Sequence, residues 1–274
     1  MVTRNLMNSV TYRVTMAGLF PEKEIQILNL KTTTTAIFLT VGICAAPRFA
    51  SAQTMQWTDK GFITFNVGAQ VGSDDLDTSS TFSLYEETAS IESTQRIKGG
   101  AFFEIGGAYR VWGNNLLAGV SFTHTSSDSD VAITGSIPDP VFFDRPRSVS
   151  ATLGGAKHSE NVIHLNAIWM IPVANKLDVG VFGGPSIFMV SQDTIALPVP
   201  VTEPGPTLNA TLNKVDKTTA GINFGVDVQY LVQKNVAVGG LMRYTWGSTD
   251  IEGASDSLGL GGFQIGVGVR YRIK

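Results

Sequence analysis

Hydrophobic and polar residues alternate with a period of two over eight stretches of this chain, and each stretch has one greasy and one polar or small face. The C-terminal stretch is the most informative. Phe263, Ile265, Val267, Val269, Tyr271 and Ile273 fall on one side of an extended strand, and Gln264, Gly266, Gly268, Arg270 and Arg272 on the other. The same reading predicts strands near 60–72, 95–111, 116–126, 159–172, 177–191, 218–232 and 236–246. In the first, Ile63, Phe65, Val67, Ala69 and Val71 share the apolar face. In the second, Ile97, Ala101, Phe103, Ile105, Tyr109 and Val111 oppose Lys98, Glu104 and Arg110. In the sixth, Ala220, Ile222, Phe224, Val226, Val228 and Tyr230 alternate with Thr219, Gly221, Asn223, Gly225, Asp227 and Gln229.

The connections alternate in length. Residues 112–115, 173–176 and 233–235 are short turns, whereas 73–94, 127–158, 192–217 and 247–258 are long and rich in Ser, Thr, Asp, Gly and Pro. A soluble antiparallel sandwich gives no reason for that alternation. The expected fold is therefore all-β: an antiparallel up-and-down transmembrane β-barrel of eight strands with short periplasmic turns, long extracellular loops and both termini on the periplasmic side. Aromatic placement points the same way. Outward Tyr109, Trp169, Tyr230 and Tyr271 cluster near predicted periplasmic strand ends, and Tyr244 and Trp246 near an extracellular one, as two girdles at the headgroup levels.

Ahead of the strands, Lys31 is followed by the apolar run Ala36–Ala46 and the small-residue ending Pro47-Arg-Phe-Ala-Ser-Ala52. This describes a secretory signal peptide cut after Ala52, the run being too short for a spanning helix. Residues 1–52 are thus an N-terminal extension plus signal peptide, with 1–30 an extended n-region or an upstream start, and 53–274 form one barrel domain. Cys44 is the single cysteine; the bulky Ile43 before it argues against lipidation, and a mature chain has no thiol. Removing 1–52 takes away five of 20 basic and two of 23 acidic residues, leaving 15 against 21 and a net charge of −6, which argues against a nucleic-acid partner.

The signal peptide, eight strands, four long loops and Gly-rich terminal strand resemble the small eight-stranded outer-membrane barrels of the OmpA-domain, OmpX and OmpW type, over about residues 57–274. The resemblance implies the bacterial outer membrane, contact with its lipid and lipopolysaccharide, delivery by the barrel assembly machinery and a monomeric state. One departure stands out: such chains usually end on Phe or Trp, whereas this one ends Ile273-Lys274. The OmpW likeness also implies an alternative function, a narrow passage for small apolar molecules lined by inward phenylalanines.

An eight-stranded barrel has room inside only for side chains or one small ligand. Its inward residues here include Phe62, Phe102, Phe182, Phe188 and Leu241, with Glu104, Asp227, Arg243 and Arg270 among them. Unpaired charge in so narrow a lumen is costly, so these four are expected to pair as an internal plug. Asp178, Arg110 and Arg272, nearer the periplasmic rim, are expected to be solvated, and His164 to be a satisfied lumen residue beside Asn166.

His124 and Ser126 share the outward face of the third strand, an arrangement that resembles the His-x-Ser of lipid A 3-O-deacylases. The deacylase Asn-Ala-Gly continuation is replaced by Ser127-Asp-Ser, and the nearby Glu160 has inward parity. No catalytic residue is assigned. No metal-ligand spacing and no cofactor motif is found; Asp74-Asp-Leu-Asp77, Asp128-Ser-Asp130 and the acids of 250–256 read as solvated loops. The most distinctive loop, Ser136–Arg147, holds three prolines and an apolar cluster, Val141, Phe142 and Phe143, beside Arg145 and Arg147. Either it contacts lipopolysaccharide phosphates or a partner, or its phenylalanines fold back over the barrel mouth. Pro198-Val-Pro200 and Pro204-Gly-Pro206 predict a second stiff loop. The expected function is a non-enzymatic outer-membrane barrel with a largely plugged lumen, structural or interacting through its loops; a lipid A-modifying enzyme is the remote alternative.

Overall fold

Twelve strands are present among residues 57–196, 201–202 and 207–274, the residues that the computed structural model describes. The expected signal peptide and its cut after Ala52, Cys44 and the two proline segments near 198–206 lie outside the described residues. The strands are β1 (Gly61–Val71), β2 (Ser73–Leu84), β3 (Glu87–Lys98), β4 (Ala101–Trp112), β5 (Leu116–Ile137), β6 (Arg147–Ala174), β7 (Leu177–Ile195), β8 (Val201–Thr202), β9 (Thr207–Leu208), β10 (Leu212–Leu231), β11 (Val236–Thr249) and β12 (Leu258–Ile273).

Eight of them, β1, β4, β5, β6, β7, β10, β11 and β12, pair antiparallel in a closed ring. Closure runs through β1 and β12, where Gly61 stands opposite Ile273 and Val71 opposite Phe263. A ring has no free edge, which is how strands meet the demand of a water-free bilayer core for paired backbone groups. The β6–β7 ladder is interrupted only between His164 and Ala167, opposite Gly184 and Pro185, before its further shift at Pro172. The terminal strand keeps its alternation: Phe263, Ile265, Val267, Val269 and Tyr271 are exposed, and Gln264, Arg270 and Arg272 are buried. Outward residues of the other ring strands, such as Phe65, Ile105, Leu165, Val181 and Phe224, complete the apolar belt.

Two expectations are corrected. The stretch 95–111 is not one strand. Gly99 and Gly100 break it, because the backbone there crosses its neighbours too closely for side chains: a Cβ on Gly99 would sit 2.0 Å from the Gln70 carbonyl oxygen, and one on Gly100 2.1 Å from that of Ser126. Across the break the inward parity changes, so Ile97 is buried rather than outward, and Lys98 is exposed rather than inward.

The long connections, read as irregular loops, are largely strand. β5 has 22 residues and β6 has 28, whereas about ten span a bilayer. Above His124 the outward face of β5 turns polar, through Ser126, Asp128 and Asp130, while its inward face passes from polar Thr125, Ser127 and Ser129 to apolar Val131 and Ile133. Val131, Ile133 and Ile137 pack with Ala89, Ile91, Val149, Ala156 and Ile195 in a second core outside the membrane. The β2–β3 hairpin joins this extension by pairing Ser90–Gln95 with Val131–Ser136. A bulge at Gly155 (φ 79°) lets β6 keep facing that core, shifting its inward positions from even numbers (Ala156, His158, Glu160) to odd (Val149).

Candidate functional site

The lumen is filled in three tiers. At the periplasmic end the segment before β1 folds into the mouth. Trp57, 2% exposed, joins Phe62, Ala108, Leu117, Ile168 and Met170 in an apolar cluster. The Arg272 guanidinium lies 4.6 Å above its ring. Arg272 also pairs with Asp178 and, at 3.4 Å, with Asp59, whose other oxygen is 2.8 Å from Lys274 Nζ. Asp178 and Arg272 are therefore buried and paired, not solvated: Trp57, outside the predicted strands, covers them. Arg110 is half-buried and donates to the Trp57 carbonyl at 3.4 Å.

The middle tier holds the two acid–base pairs. Arg243, 1% exposed, pairs with Glu104 and donates to Gln264 Oε1 (2.8 Å) and Thr123 Oγ1 (2.9 Å). Glu104 accepts further bonds from Asn66 Nδ2 (2.7 Å) and Thr123 Oγ1 (3.2 Å). Arg270 pairs with Asp227, which also accepts from Gln229 Nε2 at 2.7 Å. A buried ion pair is tolerable only when the remaining donors and acceptors are also met, and these polar neighbours meet most of them. A cavity of about 40 Å³ remains, bordered by Phe62, Asn66, Ser121, Asn166, Phe182 and Leu241. That is room for about three waters.

Above this, polar side chains continue as a hydrogen-bonded column. Gln264 donates to Gln70 (2.6 Å), Gln70 to Glu160 (3.2 Å), and Glu160 faces His158 Nε2 at 3.1 Å. His158 Nδ1 lies 2.7 Å from Gln192, which donates to Gln95 (3.1 Å), and Gln95 donates to Ser129 (2.9 Å). The column links β1, β3, β5, β6, β7 and β12 and ties the ring to its extracellular extension. Gln70, Gln95, Gln192 and His158 were not singled out as a group in the sequence, because most of them lie in or beside stretches read as loops. His164 faces inward and meets Ser186 Oγ at 2.8 Å.

On the outer surface, Tyr109, Trp169, Tyr230 and Tyr271 are exposed near the end that carries the short turns, and Tyr244 and Trp246 near the opposite end. His124 and Ser126 face outward, but no hydrogen bond joins them among the described residues. The ring of His124 instead meets Asn161 Oδ1 at 2.8 Å and stacks 5.3 Å from Phe103. Glu160 is buried in the column, on the other side of the wall.

The β5–β6 tip does not fold back. Val141, Phe142 and Phe143 are 77%, 57% and 69% exposed. Asp139 organises the turn, accepting from the backbone N–H groups of Val141 (2.9 Å) and Phe142 (3.1 Å), which hold its carboxyl below the ordinary value. Arg147 lies 3.7 Å from Asp139 and donates to the Pro138 carbonyl, so it braces the tip. Arg145 sits 5.3 Å over the Phe142 ring. Glu87 accepts from the Asp144 N–H at 2.8 Å, joining the tip to the β2–β3 turn, where Tyr85 and Glu86 have left-handed backbones.

The sequence profile of the family described as outer membrane protein beta-barrel domain matches residues 36–272. No curated protein sequence matches the chain. Among solved structures, neisserial surface protein A is 14% identical, with 78% of this chain and 97% of that one covered at a TM-score of 0.40. OprG of Pseudomonas aeruginosa is 10% identical, with 80% and 99% covered at 0.42. Ail, the attachment invasion locus protein of Yersinia pestis, is 9% identical, with 77% and 99% covered at 0.35.

Proposed function

The chain belongs to the outer membrane protein beta-barrel domain family and spans the bacterial outer membrane, and from that premise we propose that it is a non-conducting, non-enzymatic barrel that displays a rigid β-structured projection outside the cell. The observation that carries the reading is the tiered lumen: Trp57 over Arg272 at one end, Arg243 on Glu104 in the middle, the glutamine column above. A passage for small apolar molecules needs inward phenylalanines bordering open space. Here Phe62 and Phe182 border only the central cavity of about 40 Å³, and with Phe102 they share one packed cluster with Trp57, Leu117 and Leu241. What supports a non-enzymatic reading is that His124 is engaged by Asn161 and Phe103 and lacks a bond to Ser126. Outer-membrane lipid and lipopolysaccharide surround the belt in this proposal, and a ring without a free edge at membrane level supports a monomer. Delivery by the barrel assembly machinery belongs to it too.

The test is a planar-bilayer recording of the purified protein. The wild type is expected to be electrically silent at moderate voltage, and reproducible stepwise currents from it would overturn the plugged-barrel reading.

A further inference from the structure

The β5–β6 tip combines features that belong together only if something outside the cell is met there. It stands far from its own membrane. At about 3.3 Å per residue, the stretch from His124 to Ile137 carries it roughly 40 Å along the strand beyond the apolar belt. Its three apolar side chains are consecutive and convex, and none is spent on the core beneath. They are also held in place. Pro138, Pro140 and Pro146 restrict the backbone, Asp139 and Arg147 lock the turn, and Glu87 anchors Asp144. Rigid exposed aromatics lose little freedom on binding.

The charges around the tip are of both signs. Arg145, exposed beside Phe142, presents a guanidinium suited to a phosphate. Exposed Glu86 and Asp144, with the Tyr85 and Phe143 rings, present carboxylates and aromatic faces suited to a quaternary ammonium. With Glu87 and Asp139 also present, carboxylates outnumber the two arginines, which disfavours a purely anionic surface such as the phosphates of lipopolysaccharide.

We propose that this tip docks on a zwitterionic phosphocholine bilayer facing the bacterium, with Val141, Phe142 and Phe143 entering the headgroup–acyl boundary and Arg145 meeting lipid phosphate. A bilayer needs no matching socket for a convex apolar point, and aromatic rings beside a cation suit its interface. The proposal rests on reading the projection as the interacting part of the protein.

The experiment passes the full chain, held in nanodiscs, over immobilised phosphatidylcholine vesicles, with phosphatidylglycerol vesicles in parallel. The wild type is expected to be retained on phosphatidylcholine and more weakly on phosphatidylglycerol. Phe142→Ser with Phe143→Ser, both exposed and outside every core, should weaken retention about tenfold or more. Arg145→Glu should weaken it less, and excess free phosphocholine should not compete, because the bilayer and not the lone headgroup is bound. Failure of the wild type to bind phosphatidylcholine, equal binding by the double variant, or preference for the anionic vesicles overturns the proposal. A protein receptor would give the first of these results. None of them alters the silent bilayer recording, so the two readings fail separately.

Discussion

Arg243→Ala is expected to lower the unfolding free energy of the barrel by about 3–5 kcal/mol, because it strands Glu104 as an uncompensated charge in a lumen closed to bulk water. The loss has two parts. Glu104 keeps Asn66 and Thr123 as donors but loses its counter-charge, and Gln264 loses the guanidinium that fixed its amide at the foot of the column. Urea unfolding of the protein refolded in detergent or lipid measures the difference. The double change Glu104→Gln with Arg243→Met should recover most of it, since replacing a whole buried pair is often close to neutral. A single-variant loss below about 1 kcal/mol would place the pair among exposed salt bridges, in bulk-like water.

The second large effect is expected at Trp57. Trp57→Ala removes the largest side chain of the periplasmic cluster and should cost about 3–5 kcal/mol, with only part recoverable by collapse of the neighbours. It also uncovers Arg272 and the carboxylates of Asp59 and Asp178. Trp57→Phe should retain most of the stability, because it keeps the apolar cover and an aromatic face under the guanidinium. Measured side by side by the same unfolding assay, an alanine variant as stable as the phenylalanine one would mean that the segment before β1 does not close the mouth.

Much of the ring was legible from alternation alone. The C-terminal strand kept every face, and β1, β10 and β11 kept theirs, because one greasy and one polar face over many residues leaves a strand only one register in a bilayer. The extracellular extension was missed for a definite reason. Its outward face is as polar as a loop, since water and not lipid lies against it, and Ser, Thr and Asp hid a period of two that still runs through Ala89, Ile91, Ser93, Gln95 and Ile97. The Gly99-Gly100 break was hidden because the apolar pattern continues across it in the same odd numbers, although the chain changes face there. At the site, Glu104, Asp227, Arg243 and Arg270 stood out because charge on an inward parity is rare. The glutamines did not, since an uncharged polar residue beside a turn looks ordinary until its partners are known. Trp57 gave no signal, because it precedes the first alternating stretch and its role comes from residues at the far end of the chain.

The most direct measurement is the reactivity of a thiol placed at the centre of the lumen. Ser121 is buried, faces inward and borders the small central cavity. Ser121→Cys in the folded protein, treated with a membrane-impermeant thiol reagent and located by mass spectrometry apart from Cys44, should stay unmodified until denaturant is added and then react fully. Rapid modification of the folded barrel would contradict a lumen filled from end to end.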